Sequence, residues 1–455
     1  MSIPLTRSIA CILLFLCPGL LLAQEPLDNY IEQGLKNNTV VRQKNIALQT
    51  ALAALKEAKG YFLPDVSFST SYQSGEGGRY FNFPVGDLVN PVYATLNQLT
   101  GSGNFPQLEN IRSYLNPNNY YDAHVRTSVP IVNTDVYYNY RIKQQQAALP
   151  EHELAIYKRE LVAGIRNAYY NYLMMLENIA IYENALALVN QNLKVNESLY
   201  RNGKGLQANI KRAESEIAGL NAQLLQAKNE LDNARRYFNF LINQNLNAPV
   251  ETVPGNNADP EKYAALINIK NTREELQQLD QALEINKTAL KMDRSFWIPK
   301  ISAFLDLGSQ GIDWEYNGYS RYYFAGIQMD IKLFKGQANT HKAQQRKLDI
   351  QKLELDKENI TRQLDMASQN ALSNYYSSKA QLEAASANIK ASESYFRVIE
   401  SGYRQGANTL IEYIDARNQL TQSQLSGNIA RYRVLAALTD IERQNATYKI
   451  NQTNQ

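Results

Sequence analysis

The chain has two cysteines in 455 residues, Cys11 and Cys17. Both lie close to the amino terminus, so the rest of the sequence has no thiol for a disulfide, a metal site or a nucleophile. Histidine is nearly as scarce. His124, His152 and His341 are isolated and lack metal-ligand spacing, so no metal site is expected. No run of like charge occurs and the formal net charge is +3, which argues against a nucleic-acid-binding arm. There is no glycine-rich phosphate loop after a strand and no Gly-x-Ser-x-Gly elbow. Paired carboxylates such as Glu274 and Glu275 sit in plain helical patterns. The sequence therefore predicts neither an enzyme nor a cofactor. Long apolar runs are also missing. Beyond residue 24 no stretch approaches the roughly 18 apolar residues of a spanning helix.

What is present begins with an export signal over residues 1–23. Arg7 supplies its positive end, Ile9 to Leu22 its apolar run, and Ala23 with Leu21 its cleavage site. Cys17 is disfavoured as a lipidation site, because Leu16 precedes it where a small residue belongs. An exported chain without a spanning helix is periplasmic, secreted or an outer-membrane β-barrel. Its 30 tyrosines suit surfaces that are wet at one end and apolar at the other.

One stretch occurs twice. Tyr200-Arg201-Asn202-Gly203 returns as Tyr403-Arg404-Gln405-Gly406, and Ala213 returns as Ala416 at the same offset. Each copy ends one long helical pattern and starts another. Glycine lets the backbone leave the first helix, and Asn209, Asn408 and Thr409 suit the start of the next. Each copy thus reads as the tip of a helical hairpin. The chain divides into a first repeat over 24–243, a linker over 244–260 rich in proline, a second repeat over 261–447 and a polar tail over 448–455.

Within each half the order is helix, strand, strand, long helix, tip, return helix. Asp28 to Lys59 reads as a helix that stops at Gly60 and Pro64. The period then becomes two: Val66, Phe68, Thr70 and Tyr72 alternate with Ser67, Ser69, Ser71 and Gln73. The stretch 75–119 reads as a long surface loop with one short helix near Leu108. A second strand carries Tyr121, Ala123, Val125, Thr127 and Val129 on one face and Asp122, His124, Arg126 and Ser128 on the other. In the second half Ile301 to Leu307 and Tyr323 to Ile331 alternate likewise. The long helix from Asp135 to Tyr200, interrupted at Pro150, repeats apolar residues every seventh position through Ile165, Tyr172, Ile179, Leu186, Leu193 and Tyr200. That is a coiled-coil seam. A second such seam runs through Tyr375, Leu382, Ile389, Phe396 and Tyr403.

Four amphipathic strands cannot close a sheet in a bilayer alone. Two copies would give eight strands, a size that side chains fill, and three would give twelve, which begins to leave a lumen. The polar faces suit a watery interior. The expected architecture is therefore mostly helical with a membrane β-barrel portion: a trimer forming one 12-stranded barrel, continued by coiled-coil helices. Tyr61, Phe62, Phe296 and Trp297 at one end of the strands, and Tyr120, Tyr121, Tyr322 and Tyr323 at the other, would form two interfacial girdles.

This arrangement resembles the TolC-like outer membrane factor family. The resemblance rests on the tandem halves, on Leu63-Pro64 and Ile298-Pro299 before the strands, on Val129-Pro130-Ile131-Val132 and Ile331-Lys332-Leu333-Phe334-Lys335-Gly336 after them, and on the two Tyr-Arg-x-Gly tips. It implies a homotrimeric outer-membrane duct with a long periplasmic extension, lying in outer-membrane lipid. Such a duct passes cargo from an inner-membrane pump through a periplasmic adaptor. The resemblance further implies a gate at the periplasmic tip, where Glu412 and Asp415 match the family's acidic pair, with Asn209 and Arg212 as first-half counterparts. Arg212 or Lys211 could tie the acidic rings across the groove between helices. Adaptor docking would fall on Arg201, Gly203, Leu206, Arg404, Gly406 and Leu410. Each has a plainer reading: acidic pairs mostly lie on solvated helix faces, and both glycines simply end helices. A non-pore periplasmic coiled-coil scaffold or adhesin is the competing reading, but it has no use for strands with an apolar face. An autonomous porin would need more strands per chain.

Overall fold

A computed structural model describes residues 26–116, 118–252 and 273–450. The expected signal segment and Cys17 lie outside the described residues, as do parts of the linker, the start of the second repeat and the end of the tail. The described residues of Met1–Ala47, Pro150–Leu279 and Asp356–Gln455 form one compact unit, and Leu48–Leu149 with Asp280–Leu355 form a second.

The second unit holds the principal sheet. Strands β1 (Asp65–Gln73), β4 (Tyr120–Val132), β5 (Lys300–Ile312) and β6 (Arg321–Asp330) lie in the order β1-β4-β5-β6, and every pairing is antiparallel. The register keeps the alternating residues in phase across the sheet. Phe68 stands opposite Val125, Val125 opposite Leu307, and Leu307 opposite Tyr323. Because strand side chains alternate with period two, one face is mainly apolar and the other mainly polar, with Ser309 and Arg321 as exceptions on the first and Phe304 and Phe324 on the second.

The stretch between β1 and β4 departs from expectation. It contains a two-stranded ribbon, β2 (Tyr80–Phe83) with β3 (Ile111–Tyr114), and a 16-residue helix α3 (Val85–Thr100), not a short helix near Leu108. Leu108 instead lies on chain running beside α3. Asn90 donates to its carbonyl at 2.9 Å and accepts from its N–H at 2.7 Å. Asn97 grips Phe105 in the same way, at 2.8 and 3.1 Å. Seven residues of helix and three of extended chain both advance about 10 Å, so the two amides meet the backbone in step. Polar side chains hold this helix, and its apolar residues Leu88, Val92 and Leu99, although helically spaced, stay exposed.

The helical patterns otherwise appear where the periodicity placed them, with three adjustments. The first helix is two, α1 (Pro26–Asn37) and α2 (Thr39–Gly60), because the Asn38 carboxamide accepts from the N–H groups of Val40 and Val41 and restarts the helix. The next breaks at Ala147 between α4 (Thr134–Gln146) and α5 (Ala148–Arg201), leaving Pro150 in the first turn of α5, where its missing N–H costs nothing. Third, the buried side of α5 follows the expected seam through Ile165, Tyr172 and Ile179. It then shifts to Ala185, Val189, Asn192 and Asn196, which leaves Tyr200 exposed. The return helix α6 (Gln207–Leu241), the helices α7 (Glu274–Arg294) and α8 (Ala338–Arg404), and the second return α9 (Leu410–Asn445) complete the order.

The core of the first unit gathers α1, α5, α6 and α9 around Ile31, Ile165, Phe238, Ile242 and Leu435. Tyr30 meets Phe238 edge-on at 5.0 Å between ring centres. Each such buried side chain contributes about 1.5–3 kcal/mol.

Candidate functional site: a two-faced sheet and two hairpin tips

Exposure defines what the sheet can do. On the apolar face Val66, Phe68, Leu307, Tyr323, Ile327 and Met329 are all exposed, Ile327 at 74%. Burying such a face in water-free surroundings is favourable at about 25 cal/mol per Å². At the end of the strands bearing Tyr121, the Trp314 ring lies between Tyr72 and Tyr121, nearly parallel to both at 5.6 and 5.2 Å. Of the four tyrosines expected in a girdle at this end, Tyr121 and Tyr323 lie on the apolar face, joined by Tyr72 and Trp314, whereas Tyr120 and Tyr322 turn to the opposite face. At the other end Phe62 packs edge-on against Tyr140 at 5.8 Å.

The opposite face is a hydrogen-bonded network. Tyr322 donates to Asp122 at 2.8 Å, Tyr120 donates to Gln310 at 2.7 Å, and His124 lies 3.2 Å from Asp122. Arg126 makes a two-pronged pair with Asp306, 2.7 Å on each prong.

The tips belong to the first unit. Gly203 has φ +71° and Gly406 has φ +79°, the left-handed conformation that glycine adopts without strain. Arg201, Gly203, Leu206, Arg404 and Gly406 are exposed, and Arg404 pairs with Glu400 at 2.8 Å. Leu410 is not available on the chain's surface. It is 5% exposed and packs with Phe396, Tyr413 and Ile414, because it is the first residue of the apolar stripe of α9.

Glu412 and Asp415 are both exposed and one turn apart on α9. Glu412 has a structural task as well. Thr409 accepts from the Glu412 N–H, and the Glu412 carboxylate accepts from the Thr409 N–H at 2.7 Å, a reciprocal capping box. The backbone hydrogen bond from Thr409, with those from the Asn408 and Thr409 side chains, holds this carboxyl below its ordinary range. On the other return helix the cap position is Leu206, which offers no side-chain acceptor. Asn209 lies three residues further in, not at the helix start.

Within the chain, neither Lys211 nor Arg212 is tied to the acidic pair. Lys211 pairs with Glu214 at 2.9 Å and Arg212 with Glu216 at 3.0 Å. Glu216 also receives Arg417 at 3.1 Å, so one carboxylate links the two return helices. Arg417 is 1% exposed, and burial lowers the pKa of its guanidinium. Its spacing from Leu410, Tyr413 and Ile414 places it on the apolar stripe, a signal that the sequence does carry. Nearby, Asn196 and Tyr403 exchange hydrogen bonds at 2.9 and 3.1 Å, and Tyr403 packs against Tyr413. Asn196 lies seven residues beyond Val189, a polar residue in an apolar register.

A sheet with one lipid-compatible face, on a chain with long helical hairpins, is the architecture of an outer-membrane efflux protein. The chain belongs to the outer membrane efflux protein family, whose model matches residues 30–244 and 265–444. Among solved structures it is similar to the CusC transmembrane channel, with TM-score 0.72 and 15% identity over 92% of this chain and 91% of that one. It is also similar to the outer-membrane channel OprN, with TM-score 0.71 and 16% identity over 92% and 89%. A third is the Campylobacter jejuni CmeC outer membrane channel, with TM-score 0.70 and 14% identity over 92% and 85%. At these identities the likeness is one of fold. No curated protein sequence matches the chain.

Proposed function

We propose that three copies of this chain close one 12-stranded barrel in the outer membrane and form a duct for efflux or type I secretion. The observation that carries this reading is the sheet. It has an exposed apolar face and two open edges, β1 and β6. Open edges are not tolerated in lipid, and an even number of antiparallel strands lets β6 of one copy pair antiparallel with β1 of the next. Three copies, rather than two, leave a lumen for the polar face.

The helical hairpins then extend into the periplasm, where the tips meet a periplasmic adaptor and, through it, an inner-membrane pump. Arg201, Gly203 and Leu206 of the first tip and Arg404 and Gly406 of the second are the exposed docking candidates. Glu412 and Asp415 form acidic rings at the closed aperture, opposite Asn209 and Arg212. Rings of carboxylates attract cations and repel one another at a constriction.

Single-channel conductance in a planar bilayer tests both parts. Because Glu412 also caps α9, the informative variant is Glu412→Gln/Asp415→Asn, which removes charge and keeps a capping side chain. A small wild-type conductance that rises in this variant is expected. Unchanged conductance would remove the gate assignment and leave the duct. No channel from folded protein would remove the duct.

A further inference from the structure

The polar face of the sheet has a feature that a plain water-filled lining would not need. One rung across all four strands reads Ser67, Arg126, Asp306, Phe324. The next rung on the same face places Phe304 beside Gly326. Asp306 is 4% exposed, while Phe324, a large apolar ring on the polar face, is 59% exposed. The Arg126 guanidinium is bound by both Asp306 oxygens and lies 5.2 Å over the Phe304 ring. Phe304 and Phe324 are 5.6 Å apart. The Phe304 ring lies so close over Gly326 that a Cβ there would fall 2.8 Å from it, so a larger residue would have to displace the ring. A two-pronged pair stacked on an aromatic ring holds a guanidinium in one place.

We infer that Arg126 and Asp306, held against Phe304 and Phe324, form a charge-cancelled aromatic belt that leaves the barrel without a preference for charge sign at this level. The inference rests on the proposed duct, in which this face lines the lumen and three copies repeat the rung. Each Arg126 is cancelled by its Asp306, so the belt neither attracts nor repels by sign. What it offers a passing solute is the exposed Phe324 ring, packed against the Phe304 ring on which the guanidinium rests. If either partner is removed, three uncompensated charges face the path, and fixed charges lining a lumen favour counter-ions.

The test is the anion-to-cation permeability ratio, read from reversal potentials across a salt gradient in planar bilayers. Asp306→Asn is expected to shift the ratio severalfold towards anions, and Arg126→Gln severalfold towards cations. Arg126→Gln/Asp306→Asn is expected to stay near wild type. Conducting single variants with unchanged ratios would overturn the inference and leave the duct intact. If the single variants do not assemble, Phe324→Cys decides, because the only other cysteines are Cys11 and Cys17. A charged, water-soluble thiol reagent should reduce current through Phe324→Cys and spare Phe68→Cys on the apolar face. The reverse result would overturn the inference. No conductance from the unsubstituted protein would overturn the duct and the belt together.

Discussion

At the first tip Gly203 turns the chain with φ +71°, and at the second Gly406 does so with φ +79°; up to these glycines the two motifs match. Beyond them the local structures diverge. At the second tip Thr409 and Glu412 close a capping box, Leu410 is buried, and Tyr403 is fixed by Asn196 and Tyr413. At the first tip the cap residue is Leu206, 68% exposed, and the equivalent tyrosine, Tyr200, is also exposed. One motif therefore yields one anchored tip and one whose apolar side chains remain uncovered. A turn motif fixes where the chain reverses; the residues after it decide whether the turn is tied to the core.

The largest difference between the tips should come from Arg417. It is buried, two of its guanidinium nitrogens have no hydrogen-bond partner, and its charge is met by Glu216. Truncating one member of a buried pair strands the other. Glu216 keeps Arg212, so Arg417→Ala should cost about 3 kcal/mol, the low side of the usual range for such pairs. It should lower the denaturation midpoint of the detergent-solubilised protein. Arg417→Met, which refills the space without a charge, should recover part of the loss. The first-tip equivalent, Glu214, is exposed, and Glu214→Ala should stay within about 0.5 kcal/mol. Equal losses at both positions would dissolve the distinction between the tips.

Capping sharpens the same comparison at smaller scale. Thr409→Ala should cost about 1 kcal/mol and speed amide exchange in the first turn of α9. Leu206→Asp should do the opposite for α6 by installing the missing acceptor, at about 0.5–1 kcal/mol of gain. Tyr403→Phe, which deletes the hydrogen bonds to Asn196, should cost about 0.5–1.5 kcal/mol, and Tyr200→Phe should be close to neutral. Unfolding midpoints of the two phenylalanine variants, compared side by side, check this pair.

The strands were legible because period two survives any context in which one face is apolar and the other polar. Val66 to Tyr72 and Tyr323 to Met329 announce themselves. The tips were legible because glycine after a long apolar seam has few other uses. The helix Val85–Thr100 was not, because Asn90 and Asn97 tie it to neighbouring backbone and its surface stripe of Leu88, Val92 and Leu99 is left exposed. The candidate site was half legible. Thr409-x-x-Glu412 spells a capping box, but the acidic residue reads equally well as half of a gate. The link from Arg417 to Glu216 was out of reach, since it joins two return helices whose packing no local pattern specifies.

The smallest expected difference is in pH dependence, and it follows from the same capping box. Glu412 is held below its ordinary range by hydrogen bonds to its charged form. A carboxyl with a depressed folded-state pKa contributes stability that is complete above the unfolded value, here 4.5, and is lost as pH falls through the lower folded value. Acidification below that value should therefore loosen the second tip. The first return helix, capped by Leu206, has no carboxylate at that position to titrate. Amide exchange corrected for its intrinsic pH dependence should show protection at 410–413 declining below pH 4.5 while protection at 207–210 changes less. Glu412→Gln should flatten the response at the second tip, because a glutamine can hold the cap without titrating. If both tips loosened together on acidification, the cause would lie elsewhere in the first unit, and the capping box would not be what distinguishes them.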